Sequence, residues 1–204
     1  GFVCPFMRRC LEEALAGGFR FLSGIVQAYT CDVSCGVVNV WKNNFPLQLC
    51  RSLALPYNDG ARSRSFLRSE LMGLVDDLVA IGGTFSEDSL RRSVDLYGRI
   101  RSTLASVLDR LGRTGALGAA ETLTLVQAFF VTPPETYLDM LVRLEDELPC
   151  GAPPDESRVP VIVSGSVLED GAVLDLVEES GMRVVFLDLC TGMRALVPAA
   201  GAGE

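Results

Sequence analysis

The reactive groups of this sequence are thiols: it has seven cysteines and no histidine. Without imidazole, His-based triads, His-ligated zinc and imidazole acid-base catalysis are excluded. Thiolate is then the expected donor to any metal, which favours iron-sulfur or Cys-only zinc. Cys4 precedes Pro5, and proline suits the first helical position because its missing N–H would be unpaired there. That puts Cys4 at or near a helix N-cap, where free amides and the helix dipole favour a thiolate. Cys31 follows the apolar run 24–29, read as a buried strand, so it falls at a carboxyl strand end, where open α/β sheets place ligands. Two thiolates at such junctions can converge on one ligand. The alternative is that both are packed as small hydrophobes, the commoner fate of an intracellular cysteine. Cys31 and Cys35 are one helical turn apart, but no second C-x₂-C completes a zinc ribbon. Cys10 and Cys50 lie among apolar positions and read as packing; Cys150 sits in a connector, and Cys190 follows a later strand.

The elements that would position these residues follow from apolar spacing. A helix is predicted from Pro5 to about Leu15, stopped by Gly17-Gly18, then the strand 24–29, a helix over 35–44 with Val37, Val38, Val40 and Trp41 inward, and a strand over 47–56 ending at Pro56. Residues 62–81 read as a helix with Phe66, Leu67, Leu71, Leu74, Val75 and Leu78 on one side. Ser86 should cap a long helix with Glu87 and Asp88 in its first turn and a stripe of Leu90, Val94, Tyr97, Ile100, Leu104, Val107 or Leu108, and Leu111. Helices over 119–130 and 134–148 follow, the second capped by Thr132. A Pro/Gly connector over 149–154 precedes a strand at 159–164, a helix at 168–180 stopped by Gly181 and a strand at 183–187. This β-α-β order implies two parallel strands. It puts the Gly165-Ser166 turn and the Asp188-Leu189-Cys190-Thr191-Gly192-Met193-Arg194 turn on the same sheet edge.

Bulk properties narrow the function classes. Apolar residues make up 49% and charged residues 22% of 204, the profile of a folded globular chain. A formal charge of -8 without a basic stripe argues against nucleic-acid binding. No apolar run reaches membrane-spanning length and no signal-peptide pattern opens the chain, so no membrane association and a cytoplasmic, reducing location are expected. Gly1 in place of Met suggests a fragment or a trimmed chain, and the small-residue tail 197–204 reads as a frayed end.

The order of these parts resembles the 2-hydroxyacyl-CoA dehydratase and benzoyl-CoA reductase subunit family. The matching pieces are Cys4-Pro5-Phe6, the Gly24-Ile25-Val26 strand leading to Thr30-Cys31-Asp32, Trp41, Leu55-Pro56, Leu96-Tyr97-Gly98-Arg99-Ile100-Arg101, Gly165-Ser166 and the 188–194 turn. The resemblance implies an α/β fold of partial open parallel sheets, Rossmann or flavodoxin-like, separated by a helical segment. Residues 1–61 would end a first α/β domain, 62–150 form the helical segment and 151–204 begin a second α/β domain. It further implies a [4Fe-4S] cluster held through three cysteines, of which Cys4 and Cys31 match the first two. The third would lie beyond this chain, and Cys190 is not taken as that ligand. Three thiolates on four irons leave one iron open to substrate. In the dehydratases an electron passed into a CoA thioester gives a ketyl radical from which a β-proton and the 2-hydroxyl depart; in the reductases it enters an aromatic ring. The implied partners are a second homologous subunit, as heterodimer or homodimer, an ATP-dependent iron-sulfur activator protein and an acyl-CoA substrate.

Two other readings stay open: a cluster-less scaffold or CoA-binding subunit, and a double-cluster reductase of small molecules. Arg194 and the Gly165-Ser166 turn either contact CoA phosphates or are a solvated arginine and a turn glycine. The acidic pairs Glu169-Asp170 and Glu178-Glu179 read as a solvated helix face.

Overall fold

A computed structural model of the chain describes residues 3–149 and 157–196. Cys150, the connector 151–154, Gly1 and the tail 197–204 lie outside the described residues. The chain forms two compact units, Gly1–Glu87 and Asp88–Glu204. It mixes helices with two small parallel sheets, in keeping with the α/β class expected. No helix among the described residues is long and apolar enough to cross a membrane.

The first unit runs α1 (Pro5–Ala16), β1 (Gly24–Ala28), α2 (Asp32–Asn44), β2 (Leu49–Leu53) and α3 (Ala61–Ala80). Gly17, at φ 87°, closes α1 in the left-handed conformation that only glycine enters freely. β1 and β2 are parallel in the register Gly24↔Leu49 to Ala28↔Leu53, joined by α2 as the crossover. Gly24 permits the pairing to begin, since a Cβ there would stand 2.7 Å from the Leu49 side chain and 2.8 Å from its carbonyl oxygen. Trp41 anchors α2: it is buried, stacks on Phe19 at 5.8 Å and lies 5.2 Å from Phe45, with Ala14 of α1 and Val37 beside it. Cys10 and Cys50 are half-buried against this cluster, the packing role expected of them.

α3 is tied to β2 by polar contacts. Arg51 pairs with Asp77 at 2.6 Å and donates to the Glu70 carbonyl at 3.2 Å, while the Glu70 carboxylate accepts from the Ala54 N–H at 3.2 Å. A Cβ on Gly73 would fall 2.6 Å from the Arg51 guanidinium, so the helix surface is open where the arginine lies. The predicted inward stripe of α3 is half covered: Leu67, Leu74 and Val75 are half-buried, whereas Phe66, Leu71 and Leu78 stay exposed. The strand that α3 meets is only five residues long, too short to cover so wide an apolar face.

The second unit comprises α4 (Glu87–Thr114), α5 (Ala119–Ala128), α6 (Pro134–Glu147), β3 (Val159–Ser164), α7 (Ala172–Glu179), β4 (Met182–Asp188) and a 3-10 turn at Met193–Ala195. Ile100, Leu104, Val107 and Leu111 of α4 are buried at the predicted spacing, but Leu90, Val94 and Tyr97 in its first half are exposed. The core gathers Leu123, Val126, Tyr137, Leu141, Leu174 and Leu187. Pro133, not Thr132, caps α6: its carbonyl accepts the Tyr137 N–H at 2.9 Å, while the Thr132 N–H closes the turn after α5 on the Ala128 carbonyl. β3 and β4 are parallel, as the β-α-β order predicts, with a register irregularity between Val161 and Ile162. Gly181, at φ 88°, separates α7 from β4.

Candidate functional site

The sequence-predicted ligands Cys4 and Cys31 both occupy helix N-caps of the first unit. Cys4 is half-buried, in extended backbone ahead of Pro5, and its carbonyl accepts the Arg8 N–H at 3.1 Å. No side chain caps the amides of that first turn. An uncapped helix start offers N–H groups and a positive dipole end to an anion, which suits a thiolate.

Cys31 is exposed, and α2 begins right after it at Asp32, three residues earlier than the spacing predicts. Ser34 is the reason. Its hydroxyl, fully buried, accepts from the N–H groups of Cys31 at 3.1 Å and Thr30 at 3.2 Å and donates to the Cys31 carbonyl at 2.7 Å. One side chain thus satisfies three backbone groups at the strand-to-helix corner, pulling the turn into helix. Cys31 itself is exposed at this corner. Sequence reasoning passed over Ser34; the signal was a hydroxyl three residues after Cys31, the reverse of the usual cap-to-N3 pattern. Cys35 is half-buried in the first turn of α2, its N–H on the Cys31 carbonyl at 3.2 Å.

Cys4 and Cys31 stand on helices α1 and α2, which share the Trp41 cluster. Among the described residues, however, no group of three or more His, Cys, Asp or Glu side chains gathers as a metal site. The donor type at both positions fits a thiolate-ligated cluster, and a third donor is not among the described residues.

The second unit presents its polar residues at the carboxyl ends of β3 and β4, where the two turns are stitched together. The Gly165 N–H donates to the Asp188 carbonyl at 3.1 Å and the Cys190 N–H to the Ser166 carbonyl at 3.1 Å. The Asp188 carboxylate accepts from Arg194 Nε at 2.5 Å and from Ser164 Oγ at 2.7 Å, while Arg194 Nη2 reaches the Asp188 carbonyl at 2.7 Å. The Arg194 hydrogen bond, then that of Ser164, holds the Asp188 carboxyl down at about 2. Arg194 thus stays half exposed with its Nε and Nη2 engaged within its own turn. Gly192 makes this possible: a Cβ there would lie 2.6 Å from the Leu187 carbonyl oxygen. Cys190 is exposed on the same turn.

Glu178, expected on a solvated face, is half-buried and accepts the Ala119 N–H at 3.0 Å, capping α5 from the neighbouring helix. Asp170 accepts the Ala172 N–H at 2.9 Å ahead of α7.

Comparison with known proteins gives a consistent match. The family described as 2-hydroxyglutaryl-CoA dehydratase, D-component, matches residues 1–202. A benzoyl-CoA reductase subunit of Thauera aromatica is 25% identical over 193 residues, covering 90% of this chain and 49% of the relative. The (R)-phenyllactyl-CoA dehydratase beta subunit of Clostridium sporogenes is 21% identical over 195 residues, covering 92% of this chain and 51% of the relative. The chain thus spans about half the length of the curated relatives it matches.

Proposed function

Since the chain belongs to the 2-hydroxyglutaryl-CoA dehydratase D-component family, we propose that it is part of an iron-sulfur subunit of a 2-hydroxyacyl-CoA dehydratase or benzoyl-CoA reductase-type enzyme. The observation that carries this reading is the Cys31 thiol, exposed at an N-cap whose backbone Ser34 fixes. Cys4 and Cys31 would hold a [4Fe-4S] cluster together with a third cysteine outside this sequence. When bound, the cluster would supply single electrons to a CoA thioester, for radical dehydration or ring reduction.

The chain's own residues have the supporting parts. Ser34 positions the Cys31 backbone, the α1 and α2 N-caps carry the two thiols, and the Trp41 cluster supports both helices. In this reading the two small sheets belong to wider Rossmann or flavodoxin-like sheets, with 1–61 ending a first α/β domain, 62–150 a helical segment and 151–204 starting a second domain. The complex would include a second homologous subunit and an ATP-dependent iron-sulfur activator protein, in the cytoplasm under anaerobic metabolism.

The test offers acyl-CoA thioesters and, separately, small inorganic or azide-like acceptors to the intact, anaerobically reconstituted protein with its partner subunit and activator. Turnover of the thioesters is expected. Turnover of the small acceptors alone would replace this reading with the small-molecule reductase, and an iron-free intact protein would replace it with the scaffold subunit.

A further inference from the structure

The second unit contains a cavity of about 370 Å³ along β4, bounded by the last turns of α4 and the start of α5. The volume falls at the small end of the range of small-molecule sites. Leu108, Leu111, Leu117, Val184 and Phe186 supply apolar wall. Gly112 and Gly115 also line it, and a Cβ at either would meet no atom within 4 Å.

One charge in this cavity has no counterpart among the described residues. Arg183, near the amino end of β4, is half-buried, and its Nε is shut off from solvent with no acceptor among the described residues. The other charged residues on the wall are accounted for. Glu178 takes the Ala119 amide, and Arg158 donates to the Glu178 carbonyl at 3.4 Å and borders Asp175 and Glu179 of α7. The guanidinium as a whole is only half-buried and has no carboxylate on it among the described residues, and a carboxylate is the partner whose charge and two-oxygen shape match it.

We propose that this cavity is a binding site for a small monocarboxylate with an apolar body, its carboxylate on Arg183 and its body against the α4 and β4 walls. Arg183 and Asp188 are five residues apart on β4, about 16 Å along an extended strand. The charged end of the site is thus set apart from Asp188, although the cavity wall extends to Leu187 and Met193 beside it, and the site does not depend on a cluster.

The test is calorimetric titration of the full-length protein with octanoate, and with octanol as the uncharged control. Octanoate should bind at least about tenfold more tightly than octanol, and Arg183→Gln should remove that preference, the scale expected for losing a charge-assisted hydrogen bond. Gly112→Leu places a side chain in space no atom occupies and improves helix propensity, so it should leave the fold intact and block octanoate. The proposal is overturned by equal affinity for octanoate and octanol, by an unchanged preference in Arg183→Gln, by binding retained in Gly112→Leu, or by no binding to the full-length chain.

Discussion

Asp188 carries the most clearly perturbed charge at the strand-end turns. Its carboxyl is held at about 2 by Arg194 and Ser164, below the value of about 3.9 for an unperturbed aspartate. A depressed folded-state value means that the stabilisation is complete above the unfolded value and is lost as pH falls from about 4 through about 2. Arg194→Gln should return Asp188 towards the ordinary range, read by carboxyl titration in NMR spectra; an Asp188 still titrating near 2 in that variant would contradict the account. At the other thiol-bearing corner, Cys31→Ser exchanges a poor N-cap for a good one. Thermal unfolding should show α2 unharmed or steadier, by up to about 1 kcal/mol, so any loss of iron in that variant cannot be ascribed to unfolding. A marked fall in melting temperature would mean that the thiol has a packing role.

At the scale of elements, the strand-to-helix corners decide how the thiols are held. Ser34→Ala leaves the Cys31 N–H without its buried acceptor, while the Thr30 N–H keeps the Ala28 carbonyl at 2.9 Å, and should cost about 1–3 kcal/mol, measured by urea unfolding; an unchanged midpoint would show that the corner is held otherwise. In the second unit, burial pushes the Tyr137 hydroxyl up to about 12 while it donates to the Leu125 carbonyl at 2.9 Å. Because the folded value is raised, stability should decline as pH rises from about 10 to about 12. Tyr137→Phe should abolish that decline and cost about 1 kcal/mol at neutral pH. Most elements were legible from spacing: α1 and its glycine stop, both strand pairs, α4 and the break at Gly181 lie where the pattern puts them. Spacing failed where a single hydrogen-bonding residue overrides it. Ser34 moves the start of α2 to Asp32, Pro133 takes the cap from Thr132, and Glu178 leaves solvent to cap α5. The first two are local hydrogen bonds at helix starts and the third is tertiary, and apolar periodicity encodes neither kind.

For the whole molecule, the sequence resemblance and the match to residues 1–202 agree on the family. The sequence also located Cys4 and Cys31 at element ends, because proline at a helix start and an apolar run ending in Thr-Cys-Asp are local signals. Coverage of the inner faces was not legible: Phe66, Leu71, Leu90 and Val94 fit a helical stripe yet are exposed. A stripe reports which side is apolar, not whether anything covers it. The chain spans about half of its curated relatives, so the iron-sulfur reading is a claim about the intact protein. Its most direct test is the iron and acid-labile sulfide content of the anaerobically purified full-length protein, beside its Cys4→Ser and Cys31→Ser variants. The account predicts about four irons per subunit in the parent, as a [4Fe-4S] cluster requires, and loss of most of that iron in either variant with folding preserved. Full retention of iron in both would contradict it.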